Sequence, residues 1–213
     1  MENLEVSVMF SGIVEQTQII SKTIARQGVV EIHIVKPNDF NDLHIGDSIA
    51  VNGICLTLEA FDDQFMVFVL AAETLHVTGW KQESLPGMLV NLERSLALGD
   101  RIHGSLMTGH VDTLASVTHL NQKGENLLVE LKVPNEYVRY MWKKGSVILN
   151  GVSLTINEVN QELGSIFVGL IPETLRRTNL SKLSHGDLVN LEVDFLTRGY
   201  WHYLESQNLP GTP

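Results

Sequence analysis

The chain has 213 residues, a formal net charge of −10 and a hydrophobic fraction of 44%. The acidic balance disfavours a protein that binds nucleic acid, since such proteins usually carry a basic patch, and no apolar stretch approaches the roughly 20 residues needed to span a bilayer. With a single cysteine, which excludes an intrachain disulfide, and an acidic start (MENLEVSV) unlike a targeting peptide, we expect a cytoplasmic protein without a nucleic-acid or membrane partner.

Six short strands are predicted in the first half of the chain. Apolar residues alternate with polar ones, or form short runs between turn-forming residues, which is typical of β-structure. The predicted strands are Ile13–Ile20, Val29–Val35, Ser48–Val51, Cys55–Ala60, Phe65–Leu70 and Met88–Leu92. Short helical turns are predicted at Asp39–Leu43 and Thr74–Val77.

The same pattern occurs again after a connecting segment, Arg94–Ser105. The predicted strands of the second half are Val111–Thr118, Leu127–Val133, Val147–Leu149, Ser153–Val159, Ile166–Leu170 and Leu188–Val193. Short helical turns are predicted at Glu136–Trp142 and Thr174–Thr178.

A helix is predicted after Val193, where the hydrophobic period changes to 3.6 residues. Its apolar face contains Leu196, Tyr200, Tyr203 and Leu204. Such a face packs either on its own barrel or against copies of itself in an oligomer. The tail after this helix, Asn208–Pro213, is expected to be frayed.

The two halves are copies of one domain. GDSIAVNG at 46–53 resembles KGSVILNG at 144–151, ETL occurs at 73–75 and 173–175, and VNLE occurs at 90–93 and 189–192. A separation of about one hundred residues is the size of a small domain and too long for a solenoid repeat. Because closing six strands into a barrel removes exposed edges, we predict an all-β fold with two tandem six-stranded antiparallel Greek-key barrels and a C-terminal α-helix. The predicted domains are residues 1–98, 106–193 and 194–207.

Each half opens on a Gly-x-Val motif, Gly12-Ile13-Val14 in the first and Gly109-His110-Val111 in the second. A glycine at a strand start allows the backbone to approach another chain segment or a ligand closely, and it also occurs at bulges and barrel corners. Ile13 takes the place of His110 in the first copy. A histidine present in only one copy indicates chemistry rather than packing.

Two further motifs recur at matched positions. Cys55-Leu56-Thr57 corresponds to Ser153-Leu154-Thr155, and the period of two places the thiol or hydroxyl groups on one face and the leucine on the other. That face looks either into the barrel, with the cysteine as a small buried hydrophobe, or toward a cleft. The second motif, Glu-Thr-Leu at 73–75 and 173–175, is typical of a helix start, where the threonines would act as caps.

Motifs for metals and nucleotides are missing from the sequence. The histidines other than His110 have no metal-ligand spacing, and neither a phosphate-binding loop nor a dinucleotide-binding fingerprint is present.

Five segments, in order along the chain, resemble the riboflavin synthase family of duplicated lumazine-binding barrels. They are MFSGIV at 9–14, NGICLT at 52–57, LMTGHV at 106–111, NGVSLT at 150–155 and IPETLRRT at 171–178. The resemblance extends from Met9 to about Tyr203, which is nearly the whole chain.

The resemblance implies a reaction. Two molecules of 6,7-dimethyl-8-ribityllumazine would dismutate to riboflavin and 5-amino-6-ribitylamino-2,4-pyrimidinedione, without a metal, nucleotide or redox cofactor. It also implies a homotrimer held by the C-terminal helices, with each active site between the N-terminal barrel of one subunit and the C-terminal barrel of another.

The resemblance also implies site residues. His110 would transfer protons, Ser48 and Cys55 would handle the adding nucleophile and its proton, and Phe10 would stack on the ligand. The first pocket would be lined by Gly12, Ile13, Val14, Cys55, Leu56, Thr57, Val69, Leu70, Ala71, Ala72, Glu73 and Thr74. The second pocket would be lined by Gly109, His110, Val111, Lys144, Ser153, Leu154, Thr155, Gly169, Leu170, Ile171, Pro172, Glu173 and Thr174. Asp194 is a further candidate.

Three features depart from the family pattern. Ser105 stands where the family commonly has a second histidine, although His103 is nearby. Ala71-Ala72 replaces bulkier or polar residues at one pocket wall, and eight residues precede Met9.

Other functions of a small barrel are less consistent with the sequence. A non-catalytic lumazine- or flavin-binding antenna or storage protein of the same fold is the main alternative, but such proteins are free to lose Cys55, His110 and the second pocket's motif, which this chain keeps. A flavin reductase barrel would need a flavin motif and a nucleotide-binding domain, and the chain has neither. A nucleic-acid-binding barrel is disfavoured by the net charge and by the scarcity of aromatic-basic pairs.

Overall fold

Thirteen strands and four helices are found in the computed structural model, which describes residues 9–207. The eight residues before Met9 and the tail predicted to be frayed, 208–213, lie outside the described residues. Along this described part, no helix is both long and apolar enough to cross a membrane.

The first half forms one antiparallel sheet. Its strands are β1 (Gln16–Arg26), β2 (Val29–Val35), β3 (Ser48–Val51), β4 (Ile54–Thr57), β5 (Ala60–Phe61), β6 (Phe65–Ala71) and β7 (Leu89–Arg94). Their order in the sheet is β4-β3-β7-β1-β2-β6-β5. Because β4 and β5 are two pieces of one predicted strand, this is a six-stranded barrel that is interrupted where that strand breaks. Helix α1 (Ala72–Thr78) and a 3₁₀ turn (Gln82–Ser84) precede β7.

The second half closes fully. Its strands are β8 (Thr113–Lys123), β9 (Asn126–Lys132), β10 (Ser146–Leu149), β11 (Val152–Asn160), β12 (Ser165–Leu170) and β13 (Leu188–Val193), arranged as a closed barrel in the order β10-β11-β12-β9-β8-β13. Between them lie α2 (Asn135–Val138), α3 (Pro172–Arg177) and a 3₁₀ turn (Asn179–Lys182). The predicted all-β fold of two tandem antiparallel barrels is confirmed.

The predicted helical turn at Asp39–Leu43 is wrong. This segment forms tight turns, in which the N–H of Phe40 donates to the carbonyl of Pro37 at 3.2 Å. Phe40 and Leu43 are nonetheless buried in the first core. The apolar spacing therefore indicated burial correctly, but turns achieve it without a helix.

The hairpins β3–β4 and β10–β11 turn on Asn-Gly pairs and meet back to back. Asn52 and Gly53 have φ values of 47° and 79°, and Asn150 and Gly151 have values of 47° and 78°, as the two-residue turn with left-handed residues requires. A Cβ built on Gly53 would lie 2.7 Å from the backbone nitrogen of Gly151. Only glycine permits this contact between the two copies.

The segments that open the two halves exchange places. We call residues 9–14 and 106–111 the crossing segments. Val14 belongs to the hydrophobic core of the second barrel, and Val111 packs against the core of the first. The crossing segments also pair with each other, since the N–H of Phe10 donates to Met107 at 2.8 Å and the N–H of Met107 donates back at 3.1 Å. Each barrel is thus completed by the other copy's opening residues.

Helix α4 (Phe195–Ser206) packs one face on the second barrel. Arg198 pairs with Asp112, Trp201 contacts the ring of Tyr140 edge-on at 6.1 Å, and Arg139 pairs with Glu205 at 2.9 Å. Four apolar residues of the helix remain exposed, the first of them Phe195. We call the other three the apolar stripe: Leu196, Tyr200 and Tyr203.

Candidate functional site

Two glycine contacts bring the matched motifs of the two halves together. The N–H of Cys55 donates to the carbonyl of Gly109 at 2.9 Å, and the N–H of Ser153 donates to the carbonyl of Gly12 at 2.8 Å. A Cβ on Gly109 would lie 2.5 Å from the Cβ of Cys55, and one on Gly12 would lie 2.7 Å from the Cβ of Ser153. These glycines therefore serve close backbone approach.

This exchange corrects the predicted grouping of the pocket residues. The segment Gly109–Val111, assigned by sequence to the second pocket, lies on the first barrel. The segment Gly12–Val14, assigned to the first pocket, lies on the second barrel. Hydrophobic periodicity shows which face of a strand is buried, but not which copy buries it.

Two larger cavities, of about 410 and 680 Å³, lie elsewhere on the protein. The cavity that is lined by residues predicted for the site has a volume of about 290 Å³. Its walls come from β4, from the start of α1 and from the crossing segment of the second half. They include Cys55, Ala71, Thr74, His110 and Val111. A thiol, an imidazole and a threonine hydroxyl therefore converge at one cleft, which we call the Cys55 pocket.

Burial keeps the thiol of the Cys55 pocket protonated. Cys55 is half-buried, and loss of solvation raises its pKa. The negative charge of Glu192 raises it further, whereas a hydrogen bond with the Ser48 side chain acts in the opposite direction. The neutral thiol suits a polar contact or a proton donor better than a resting thiolate nucleophile.

The matching place on the second barrel holds hydroxyl groups. The Oγ atoms of Ser105 and Ser153 lie 2.8 Å apart, and Ser105 is buried. Ile13 and Ile171, which correspond in the sequence repeat to His110 and Ala71, are exposed. We call the Ser105–Ser153 pair, with Gly12 in contact with it, the Ser153 site. Ser105, the departure from the family pattern, is therefore the hydrogen-bond partner of Ser153.

Several predicted site residues face the barrel cores instead. Phe10 is fully buried with Met107, Ala50 and Ile148 between the two copies, so its ring has no surface for stacking on a ligand, and this corrects the prediction. The other buried side chains are Val14, Leu56, Leu70, Leu154 and Leu170. Their positions follow from strand alternation, which turns every second side chain inward.

The remaining predicted residues lie at the outer surface of the barrels. The exposed ones are Thr57, Ala71, Ala72, Glu73, Thr155, Ile171 and Pro172. The half-buried ones are Ser48, Val69, Thr74, Gly169, Glu173 and Thr174. Ser48, Cys55 and Thr57 project outward from the paired strands β3 and β4, so the second of the two alternatives for this face, a cleft, is correct.

The threonines predicted as helix caps do not cap. Helices α1 and α3 begin after Ala71 and Ile171, and no side chain caps either start. Instead, the carbonyl of Thr74 accepts a hydrogen bond of 2.7 Å from the hydroxyl of Thr78, and Thr174 and Thr178 repeat the contact. The side chains of Thr74 and Thr174 are therefore not used at the helix start.

Lys144 and Asp194 lie apart from both places, in a cavity of about 680 Å³ beside α4. Lys144 has a φ of 72°, where the first copy has Gly46 with a φ of 98°. A lysine in the left-handed region costs free energy, and such strain is often found at functional positions. The Asp194 carboxylate accepts from the N–H of Thr197 at 3.0 Å and so caps α4.

Two buried glutamates were missed by sequence reasoning. Glu93 accepts hydrogen bonds from the N–H and hydroxyl of Ser11, both at 2.7 Å, and from the N–H of Gly12 at 3.0 Å. Burial raises the pKa of Glu93 to about 7. Glu192 makes the matching bonds in the second half, and burial raises its pKa too. The repeated VNLE motif, with its acid inside a buried strand, was the available signal.

Comparisons with known proteins agree with this arrangement. The lumazine binding domain matches the chain twice, over residues 11–95 and 108–194. The chain is 35% identical to the riboflavin synthase of Bacillus subtilis (strain 168), over 94% of this chain and 92% of that protein. It is 38% identical to the riboflavin synthase of Mycobacterium bovis, over 89% of this chain and 95% of that protein.

The chain belongs to the riboflavin synthase family of duplicated lumazine-binding proteins. The fold of the chain is also similar to that of LumP. The structure of LumP complexed with riboflavin has a TM-score of 0.79 and 26% identity, and covers 86% of this chain and 98% of LumP. The structure of LumP complexed with 6,7-dimethyl-8-(1'-D-ribityl) lumazine has a TM-score of 0.75 with the same identity and coverage.

Proposed function

We propose that this chain is an enzyme that converts two molecules of 6,7-dimethyl-8-ribityllumazine into riboflavin and 5-amino-6-ribitylamino-2,4-pyrimidinedione. One lumazine gives a four-carbon unit to the other, and the chemistry uses no metal or redox cofactor. The observation that carries the proposal is the presence of two matched but unequal places, the Cys55 pocket and the Ser153 site. The chain also matches riboflavin synthases over most of its own length and of theirs.

The duplication suits a reaction between two identical substrates. The two rings must meet face to face in opposite orientations, and two pseudo-symmetric pockets can hold them so. Fixing that orientation before reaction removes an entropic cost that can amount to several kcal/mol.

Proton transfer is the chemical task left to the protein. The 7-methyl group of lumazine is acidic because the ring delocalises the resulting carbanion, so a proton relay suffices where a strong base would otherwise be needed. We assign the relay to His110, an exposed imidazole at the wall of the Cys55 pocket. Two sets of groups then make polar contacts to the two rings: the Cys55 thiol with Ser48 beside it, and the Ser105–Ser153 pair. The same groups bind the nucleophile that adds to a lumazine ring.

The working unit is a homotrimer joined through α4, with each active site made by the first barrel of one subunit and the second barrel of another. The exposed apolar stripe supports this assembly, because Leu196, Tyr200 and Tyr203 are each more than half exposed in the single chain. Lys144 and Asp194, in the cavity beside α4, then lie near the subunit contact. We place the protein in the cytoplasm.

A non-catalytic lumazine- or flavin-binding role is the second candidate, and the similarity to LumP favours it. The identity to LumP is 26%, however, against 35% and 38% for the riboflavin synthases. The second copy also keeps Ser153 and the IPETL segment, which a protein with one working pocket does not need.

The two candidates differ in a simple incubation. Purified protein and 6,7-dimethyl-8-ribityllumazine, without added cofactor, should yield one riboflavin for every two lumazines consumed, over many turnovers, as followed by absorbance and chromatography. Tight binding of lumazine without riboflavin formation would contradict the enzymatic proposal and support the binding role.

A further inference from the structure

Each barrel ends on a strand whose buried glutamate holds a crossing segment in place. We propose that Glu192 is a positioning residue for the Cys55 pocket, acting through Gly109, and that Glu93 does the same for the Ser153 site through Gly12. The catalytic meaning of this inference rests on the proposed function, whereas its test does not require turnover.

The path from Glu192 to Cys55 consists of two short steps. The Glu192 carboxylate accepts from the N–H and the hydroxyl of Thr108, each at 2.8 Å, and from the N–H of Gly109 at 3.0 Å. The carbonyl of Gly109 then accepts from the N–H of Cys55 at 2.9 Å. Gly109 is thus held by the Glu192 carboxylate through its N–H and by the strand that carries Cys55 through its carbonyl.

The path from Glu93 repeats this geometry at the other place. Glu93 holds the N–H and hydroxyl of Ser11 and the N–H of Gly12, and the carbonyl of Gly12 accepts from the N–H of Ser153 at 2.8 Å. The two glutamates therefore have the same partners in the fold but reach different side chains, a thiol in one case and a hydroxyl in the other. They form a matched pair for comparison.

A glutamine could not replace either acid without loss. Both carboxylates are buried, with relative exposures of 4% for Glu93 and 1% for Glu192, and each accepts three hydrogen bonds. A carboxylate is an acceptor at both oxygens, while an amide would set its own N–H₂ against a backbone N–H. The bond pattern therefore requires an acid, and the charge of Glu192 also acts on the Cys55 thiol.

The test uses Cys55 as a built-in reporter, because it is the only cysteine of the chain. The rate of its alkylation by iodoacetamide is measured as a function of pH in the full-length protein, in wild type, Glu192→Gln and Glu93→Gln. The other titratable groups at the pocket, Glu73 and His110, are unchanged in all three proteins. For Glu192→Gln, we expect the midpoint of the curve of alkylation rate against pH to move to lower pH by roughly half a unit, because a negative charge beside the thiol is lost. For Glu93→Gln, this midpoint should stay at the wild-type value.

A second pair of variants keeps the test decisive if Glu192→Gln fails to fold. Thr108→Ala removes one donor from Glu192, which leaves the charge less compensated, so alkylation at a fixed pH should become slower. Ser11→Ala removes the matching donor from Glu93 and should leave the rate unchanged. Equal effects of both members of a pair, or no effect of either, would overturn the proposal. A wild-type protein that makes no riboflavin would refute the proposed function but leave this comparison intact.

Discussion

Cys55 and Ser153 occupy the same place in the two copies, but the side chains around them differ. His110 lines the same pocket as the thiol, whereas the hydroxyl is hydrogen-bonded to Ser105 and the repeat has Ile13 in the position of His110. A half-buried neutral thiol and a pair of hydroxyls bind the same ring differently, so the two places can hold chemically identical substrates in unequal states. The roles of donor and acceptor can then be divided between them.

The imidazole of His110 can be tested by removal. In His110→Ala, turnover should fall by roughly 100-fold, as expected for the loss of a proton-transfer group, while lumazine binding stays close to wild type. His185→Ala, at an exposed turn before β13, serves as the control and should keep full activity. Steady-state rates and ligand titration by fluorescence measure both quantities, and unchanged turnover in His110→Ala would remove this residue from the mechanism.

The buried carboxyl of Glu93 predicts a dependence of stability on pH. Its pKa of about 7 lies above the value of 4.5 for an exposed glutamate, so the folded protein holds this proton to higher pH than the unfolded chain does. Stability contributed by the protonated form is fully present below about pH 4.5 and is lost as the pH rises through about 7. The loss amounts to about 3 kcal/mol for such a shift.

Glu93→Gln should therefore show a smaller decrease in unfolding free energy between pH 5 and pH 8 than wild type does, although it is less stable overall because it loses acceptors. Glu59→Gln, an exposed glutamate on the same barrel, controls for the removal of one negative charge. Urea unfolding at several pH values gives the comparison. A difference between wild type and Glu93→Gln that is independent of pH would show that Glu93 does not titrate in this range.

At the scale of elements, the crossing segments explain why the copies do not behave as separate barrels. Each segment leaves its own β-sheet, pairs with its counterpart and inserts a valine into the other core. The cleft beside Cys55 consequently contains residues of both copies. The exchange makes the site sensitive to any change in how the halves meet.

Gly109→Ala tests this close approach. The residue has a φ of 77°, and an added Cβ would lie 2.5 Å from that of Cys55. Gly28→Ala is a matched control, because Gly28 has a φ of 79° but no atom within 4 Å of its Cβ position. The unfolding free energy of both variants should fall by about 1 kcal/mol, because alanine is disfavoured in the left-handed backbone region. For Gly109→Ala it should fall by about 1–3 kcal/mol more, because the added methyl group overpacks the contact with Cys55.

Chemical unfolding measures the two losses, and ligand fluorescence should show weaker riboflavin binding only in Gly109→Ala. Equal destabilisation of the two variants would mean that the backbone conformation, and not the contact with Cys55, makes glycine necessary at position 109.

The apolar stripe of α4 predicts how the subunits assemble. A charge in its centre, Tyr200→Glu, should separate the proposed trimer into monomers and lower activity by roughly tenfold or more, as expected for a central interface residue. His202→Glu introduces the same charge at another exposed position of the helix and should leave the trimer intact. Light scattering reports the mass of each variant. A Tyr200→Glu protein with the mass of wild type would exclude the stripe as the assembly surface.

At the scale of the whole molecule, much of the architecture was predictable because strand alternation, turn residues and the repeat all act locally. The six strands of each copy and the terminal helix follow from these patterns, whereas they left open whether Cys55 faces the barrel or a cleft. The exchange of the crossing segments was not predictable, since Gly12–Val14 has the same pattern whichever barrel buries it. The burial of Phe10 and the hydrogen bonds of Glu192 were missed because they too depend on where the crossing segments lie. The domain boundaries at 98 and 106 stay a prediction.

The central claim is that two lumazines combine in one turnover, and isotope labelling tests it most directly. The protein is incubated with an equal mixture of unlabelled lumazine and lumazine carrying ¹³C in the four carbons that are transferred, and the riboflavin formed is analysed by mass spectrometry. The account predicts unlabelled, half-labelled and fully labelled riboflavin, with the half-labelled species most abundant. Riboflavin without the half-labelled species, or no riboflavin from a protein that binds lumazine, would contradict it.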